Sequence, residues 1–308
     1  MKKYLKIIFF TMFFLIFSFL ILELFLKLNY GKRLIWEFDN ITYWHFKESQ
    51  EGYAVYGGPI SKINAHGFRG SEYDSSKKSI ALLGDSYTFG YGLKDNETFS
   101  HLLNIKLEDK NVQTINMGVP GLGPYQILKK YENDFKKFSP EITILTLVKE
   151  DIVRQSLDAS QISDLIKIGN IRQFLQWTLF DFFNKLSNNY FSHRFSVVKV
   201  YYDDKYKNLY NWNEMGAYWN LTKLHILELN NLIVSNDSTF IVIVYPDIFY
   251  NDDYETDVTA FLIENNISYI KINFLGYNST ELINSYNHPS YMANKILSNF
   301  IYNHLKSI

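Results

Sequence analysis

The sequence predicts an α/β fold, with a parallel sheet covered by helices on both faces and a single apolar helix ahead of it. Three observations predict it. Short apolar runs recur at Ile80–Leu83, Val112–Asn116, Ile142–Val148, Phe240–Tyr245 and Ile267–Ile272, each of strand length. Segments of helical pattern separate them, at Thr98–Leu107, Tyr125–Phe138, a long block around Ile162–Leu186 and Leu221–Ile233, and a final one covers Tyr291–Leu305. Strands that alternate with helices are joined by crossovers, so they run parallel and are buried on both faces. The third observation is the run Ile7–Leu26, in which only Thr11, Ser18 and Glu23 are not apolar.

Taken in order, the chain begins with that run. Twenty helical residues span roughly 30 Å, the thickness of a bilayer's hydrocarbon core. Residues 1–30 therefore read as a transmembrane anchor. Lys2, Lys3 and Lys6 precede the run and hold the amino terminus in the cytoplasm, although Lys27, Lys32 and Arg33 follow it and reduce the bias. A cleaved signal peptide wants small residues at its end, yet the first alanine in the chain is Ala54. The expectation is a single-pass protein of the cell membrane with its remaining domain outside the cytoplasm. Two readings of Glu23 stand: it lies at headgroup level, or it faces a partner helix.

Residues 31–78 are mixed and polar and read as an exposed connector. Within them, the run Asn64-Ala65-His66-Gly67-Phe68-Arg69-Gly70 has an ordered look, and His66 reads as a surface or packing histidine. The domain proper is expected over 79–308. The stretch 151–215 is longer than a crossover needs and carries an aromatic-rich helix, Phe174 to Phe183, which reads as core in preference to a lid or a membrane-resting face. The acidic loop from Asn251 to Asp257 lacks the Gly and closing Glu of a calcium loop and reads as solvated.

Bulk properties exclude several functions. The 308 residues are 47% hydrophobic, with 25 Phe and 24 Tyr, enough to fill a sizeable core. A net charge of -1 leaves no basic footprint for nucleic acid. The absence of cysteine excludes disulfides, thiolate metal sites, a cysteine nucleophile and lipidation through sulfur.

The chemistry centres on Ile80–Gly92, which reads IALLGDSYTFGYG. Ser86 follows the first strand, at the carboxyl end where open α/β sheets form their sites. Asp85 and Ser86 are equally the residue types that cap a helix, and both readings stand on this stretch alone. Neither the Walker loop nor the dinucleotide fingerprint fits the glycines here, and Thr88 stands where a nucleophile elbow needs Gly.

A set of blocks does hold. Gly84-Asp85-Ser86 ends the first strand, Asn116-Met117-Gly118-Val119-Pro120-Gly121 the second and Glu150-Asp151 the third, while Asn287-His288-Pro289 precedes the last helix. In order and spacing these resemble the SGNH, or GDSL, hydrolases from about Ser79 to the carboxyl terminus. The block Asn64-x-x-Gly67-Phe68-Arg69-Gly70 is similar to one found in membrane-anchored bacterial members. The resemblance implies a three-layer α/β/α domain with a five-stranded, flavodoxin-like parallel sheet, and no cofactor or metal. It implies that Ser86 is the nucleophile of an ester-cleaving acyl-enzyme mechanism and that His288 is its base. The backbone N–H groups of Ser86 and Gly121 would bind the oxyanion. Two positions depart from the family pattern. Glu150 occupies the place of an Asn that donates to the oxyanion, which an ionised carboxylate does not do. Ser285 occupies the place of the Asp that orients the histidine, leaving that task to a backbone carbonyl or to an acid such as Glu281. The expected substrates are ester-linked acyl groups, O-acetyl groups of envelope glycans among them, with envelope-biosynthesis proteins as partners and the membrane engaged through residues 7–26. The alternatives are an O-acyltransferase and a non-catalytic module of the same fold that binds a glycan or a partner.

Overall fold

A computed structural model of the chain describes residues 2–39, 43–154, 215–247 and 253–306. The central strands are β5 (Lys78–Leu83), β6 (Val112–Asn116), β7 (Ile142–Leu147), β8 (Thr239–Val244) and β9 (Ser268–Lys271). They lie in the order β6-β5-β7-β8-β9, and every pairing is parallel. Numbered by their own succession this is 2-1-3-4-5, the doubly wound order of flavodoxin-like sheets.

Two-residue alternation along these strands feeds two separate cores. Ala81, Leu83, Leu145, Leu147, Val242 and Val244 face one side. There they meet α4 (Pro124–Lys130), α5 (Gly216–Val234) and α6 (Tyr254–Glu264) through Ile127, Ile226, Leu229, Val258 and Leu262. Ile80, Leu82, Ile144, Ile241, Ile243 and Ile270 face the other side. There they meet α3 (Phe99–Leu107) and α8 (Tyr291–Leu305) through Phe99, Leu103, Ala293, Leu297 and Ile301. Strands buried on both faces need no polar alternation, which is why they read in sequence as continuous apolar runs. The architecture is three layers, α/β/α.

Three regions differ from the sequence reading. The helix expected over Tyr125–Phe138 is regular only to Lys130, continues as a π-type turn over Tyr131–Phe135 and a 3₁₀ turn over Lys136–Phe138, and stops where Ser139 turns left-handed at φ 44°. The acidic loop read at Asn251–Asp257 is helical from Tyr254, because buried Tyr254 and Val258 seat α6 on the sheet; Asn251 and Asp252 lie outside the described residues. Residues 31–78 are folded onto the domain. They form two antiparallel hairpins, β1 (Trp36–Asp39) with β2 (Tyr43–Phe46) and β3 (Gln50–Tyr53) with β4 (Ile60–Ile63). Leu34, Phe46, Ala54 and Ile63 form a small core with Phe89. A polar composition hid this, because only a few side chains per hairpin are buried.

Arg69 fastens that region to the sheet. It bridges Ile63 and Asn116, covering the exposed edge of β6. Its guanidinium is buried, pairs with Asp95 at 2.8 Å and donates to the carbonyls of Phe89, Gly90 and Leu93. His66 packs edge-on against Phe138 and Tyr73, a packing histidine.

At the amino terminus α1 (Lys2–Tyr30) is long and apolar enough to cross a membrane, and few of its residues are covered. Glu23 is shielded from solvent and pairs with Lys27 one turn on, at 3.0 Å. The aromatic-rich helix read within 151–215 falls outside the described residues, which resume at Met215.

Candidate active site

The sheet order places a topological switch at β5, whose neighbours β6 and β7 lie on opposite sides of it. Crevices open at the carboxyl ends of strands at such a point. β5 ends at Leu83, and Gly84 follows with φ 152°. A Cβ on Gly84 would overlap the Thr88 hydroxyl and come within 3.2 Å of the Thr146 carbonyl of β7. Only glycine lets the chain turn here into α2 (Ser86–Phe89), a single helical turn. Asp85 caps that turn by accepting from the Tyr87 N–H at 2.8 Å, and Gly90 closes it in the left-handed region. The capping reading of Asp85 is therefore correct, and it coexists with a buried Ser86 at the head of the turn.

His288 arrives from the other end of the chain, in the turn between α7 (Ser279–Leu282) and α8. Its Nε2 lies 2.9 Å from Ser86 Oγ, and its Nδ1 lies 2.8 Å from the Tyr286 carbonyl oxygen. A carbonyl only accepts, so Nδ1 carries the proton and Nε2 is left as the acceptor facing the serine hydroxyl. The turn is pinned by Asn284, whose Oδ1 accepts from the N–H groups of Tyr286 and His288 and whose Nδ2 donates to the Tyr91 carbonyl at 2.9 Å. The imidazole also lies against two rings, Tyr91 at 4.8 Å and Tyr87 at 5.7 Å between centroids. Glu281 is engaged elsewhere: its carboxylate accepts from Asn278 N–H at the start of α7. Of the two candidates for orienting His288, the backbone carbonyl is the one in place.

Burial lowers the His288 pKa below its usual 6.5, the carbonyl at Nδ1 and nearby Asp85 opposing the shift in part. The neutral ring, the form able to accept a proton, therefore persists to lower pH than in a free histidine. Hydrolysis that uses this base should rise with pH and reach half its maximum below 6.5, as a pH profile of kcat/KM on an uncharged ester would read.

Beside the pair lies a buried charge cluster that the sequence reading missed. Asp85 Oδ2 is 3.1 Å from Ser86 Oγ and accepts from Arg154 Nη1 at 2.7 Å. The same Nη1 donates to Asp151 Oδ1 at 2.6 Å. Asp85 and Asp151 are almost wholly buried, and burial together with the Asp85 charge pushes the Asp151 carboxyl well up. Arg154 closes the 3₁₀ turn that follows β7, Lys149–Val153. Its signal in the sequence was a lone cation three residues after an acidic pair at a strand end.

Of the other expected site residues, Gly121 sits in the loop after β6 with φ 85°, a conformation that favours glycine. That loop is tied to β5 by Val119 N–H donating to the Gly84 carbonyl at 3.1 Å, and Trp44 donates to the Pro120 carbonyl at 2.9 Å. Asn116 serves the loop itself, accepting from Gly118 N–H at 3.1 Å. Glu150 lies in the turn after β7, half-buried, and shares a small crevice with Tyr87, Lys149, Tyr245 and Asp247. Burial raises its carboxyl above the usual range, and Arg154 opposes this. Lys149 is paired with Asp247 at 3.0 Å, both side chains buried. Ser86 and His288 are thus brought into contact, and Gly121 and Glu150 stand on the two loops that flank them.

No family model and no curated protein matches the sequence. Solved structures do resemble the chain. A psychrotrophic esterase from Pseudoalteromonas sp. is 14% identical with a TM-score of 0.47, over 75% of this chain and 98% of its own. An acetyl xylan esterase from Geobacillus stearothermophilus is 12% identical with a TM-score of 0.47, over 74% and 94%. A GDSL-like lipase from Bacteroides thetaiotaomicron is 11% identical with a TM-score of 0.43, over 77% and 92%. The five-stranded parallel sheet in the order 2-1-3-4-5, with helices on both faces, is the three-layer α/β/α architecture that the resemblance implied, and its first strand leads into the serine that touches His288.

Proposed function

We propose that the protein is a serine esterase that acts through an acyl-enzyme on Ser86. The observation that carries this reading is the 2.9 Å contact between Ser86 Oγ and His288 Nε2, with Nδ1 held by the Tyr286 carbonyl. Ser86 Oγ attacks the ester carbonyl carbon while its proton passes to Nε2. The tetrahedral intermediate collapses, and Nε2 returns the proton to the departing alkoxide oxygen. Water then attacks the acyl-serine, giving a proton to Nε2, and the acid leaves as Ser86 regains its hydrogen. The oxyanion is assigned to the N–H groups of Ser86 and Gly121. A donor of this kind is worth about 2.7–4 kcal/mol of barrier. Glu150 joins them only in its neutral form, which its burial favours.

The domain is read as outside the cytoplasm and held at the cell membrane by α1, with the O-acetyl groups of envelope glycans as substrates and envelope-biosynthesis proteins as partners. Transfer of the acyl group to a sugar hydroxyl in place of water uses the same steps. A non-catalytic binding module is the second reading. It is favoured by Glu150 and by the serine hydroxyl's second acceptor, Asp85 Oδ2.

Treatment with a fluorophosphonate decides between them. Wild-type protein is expected to become labelled on Ser86, with labelling lost in Ser86→Ala and His288→Ala. A folded wild type that stays unlabelled would leave the binding module as the better reading.

A further inference from the structure

The end of the apolar helix is joined to the domain without slack. Gly31 N–H still donates to the Lys27 carbonyl at 2.9 Å, and Gly31 then turns left-handed at φ 79°. From there the chain runs alongside β3. Tyr53 N–H donates to the Lys32 carbonyl at 2.8 Å, Leu34 N–H donates to the Tyr53 carbonyl at 3.0 Å, and Arg33 bridges Tyr53. Tyr53 and Leu34 are fully buried. A tether that lets a domain reach away from a membrane needs many unstructured residues. Here every residue from Tyr30 to Leu34 is tied to the helix or the hairpin.

The same contacts continue to the catalytic pair. The Tyr30 ring lies 5.2 Å from the Tyr56 ring, and Tyr56 lies 5.7 Å from Tyr53. Two residues before Tyr56, the Ala54 carbonyl accepts from the Tyr91 hydroxyl at 3.5 Å, and the Tyr91 ring is the one 4.8 Å from His288. A second route runs through Gly58, where a Cβ would sit 3.5 Å from the hydroxyl of Tyr286, the residue whose carbonyl orients His288. Two residues of chain add at most ~7 Å and the tyrosine side chains along the path a similar length again, so His288 stands within about 30 Å of Tyr30. Tyr30, Lys27, Lys32 and Arg33 are the residue types that settle at a membrane's polar interface, a layer roughly 5–7 Å deep on each side. Ile60, exposed and seated over Gly31, adds an apolar side chain at the same level.

We infer that the Ser86–His288 site is held at a fixed, short height over the bilayer surface, and that its substrate is an ester carried on a lipid-anchored molecule. This rests on the esterase reading and on α1 spanning the membrane. A rigid mount suits a substrate that diffuses in the same plane, where each encounter is two-dimensional and the local concentration is set by the anchors. It does not serve a polymer that lies away from the surface.

The chain has no cysteine, so single substitutions can be labelled uniquely in the full-length protein. Ser285→Cys lies beside His288, and Ser76→Cys lies before β5, at the opposite end of the sheet. Each is given a fluorophore and placed in nanodiscs containing a lipid with a quencher on its headgroup. Quenching at 285 is expected to exceed that at 76 by about threefold or more. A Gly/Ser insert of about 20 residues after Gly31 should abolish the difference. The insert should also lower turnover of an acetyl ester built on a phospholipid headgroup by about tenfold, with turnover of soluble nitrophenyl acetate kept within about twofold. Equal quenching at both positions would overturn the placement. An insert without effect on either ester would overturn the substrate class. Failure of the fluorophosphonate to label Ser86, with the quenching difference intact, would fell the esterase reading and leave the placement standing.

Discussion

His288→Ala is expected to lower kcat/KM on an activated acetyl ester by about 10⁴-fold or more, with the fold retained. The size of the loss follows from the proton. At neutral pH a serine hydroxyl is a weak nucleophile, and Nε2 at 2.9 Å is the group in place to remove its hydrogen in the transition state. Asp85 Oδ2 also faces the hydroxyl at 3.1 Å, but its charge is engaged by Arg154 at 2.7 Å. That oxygen already accepts from Arg154, so Asp85 does not replace His288. Ser86 and His288 act as a unit. Ser86→Ala combined with His288→Ala should be no slower than either change alone, because the second removes a partner that has already lost its purpose. Stability gives the control. His288 contributes ring contacts with Tyr91 and Tyr87, worth about 1 kcal/mol, so Tm should fall by only a few degrees. A His288→Ala protein with near wild-type turnover would reject the mechanism. A loss of activity matched by a collapse in Tm would show that the residue is structural.

The strands were legible in the sequence for a physical reason. β6 is found at Val112–Asn116 as expected, and the other four differ by one or two residues at an end, because parallel strands buried on both faces show as unbroken apolar runs. The contact of Ser86 with His288 was legible only through the block pattern. Two residues 202 positions apart in the chain carry no local signal of their proximity. A main-chain carbonyl was one of two expected partners for His288, but which carbonyl was not legible, since every residue has one and only the fold selects that of Tyr286. Asn284 was missed for a similar reason: its side chain does the work of a local turn, and such Asn residues are common in loops. The two hairpins of residues 31–78 escaped because each buries few side chains and because Arg69, a charged residue, holds them to the sheet. Arg154 escaped because a cation after a strand ordinarily reads as a solvated charge, whereas here it is four-fifths covered.

Arg154→Ala is expected to destabilise the protein by about 3–5 kcal/mol, read from denaturant unfolding with the m-value unchanged. Arg154 Nη1 donates to two carboxylates at once, Asp85 at 2.7 Å and Asp151 at 2.6 Å, and both acids are almost wholly buried. Without the guanidinium, two negative charges face each other in a site from which water is excluded. Asp151, already pushed up by burial and by Asp85, should then hold its proton to still higher pH. The sign of the pH dependence follows. A carboxyl whose folded pKa is raised binds more protons folded than unfolded, so stability declines as pH rises from the unfolded value towards the folded one. The variant's deficit should therefore be largest at pH 8 and shrink as the medium is acidified to about pH 5. Asp151→Asn in the Arg154→Ala background should recover part of the loss, since an amide needs no counter-ion. Activity should fall with the cation as well. Asp85 Oδ2, without its cation, competes with Nε2 for the Ser86 hydrogen and adds uncompensated negative charge where the substrate oxygen becomes negative. An Arg154→Ala protein as stable as wild type at pH 8 would mean that the two carboxylates are neutralised by some other group, and the charge cluster would then have no part in holding the loop after β7 against the nucleophile.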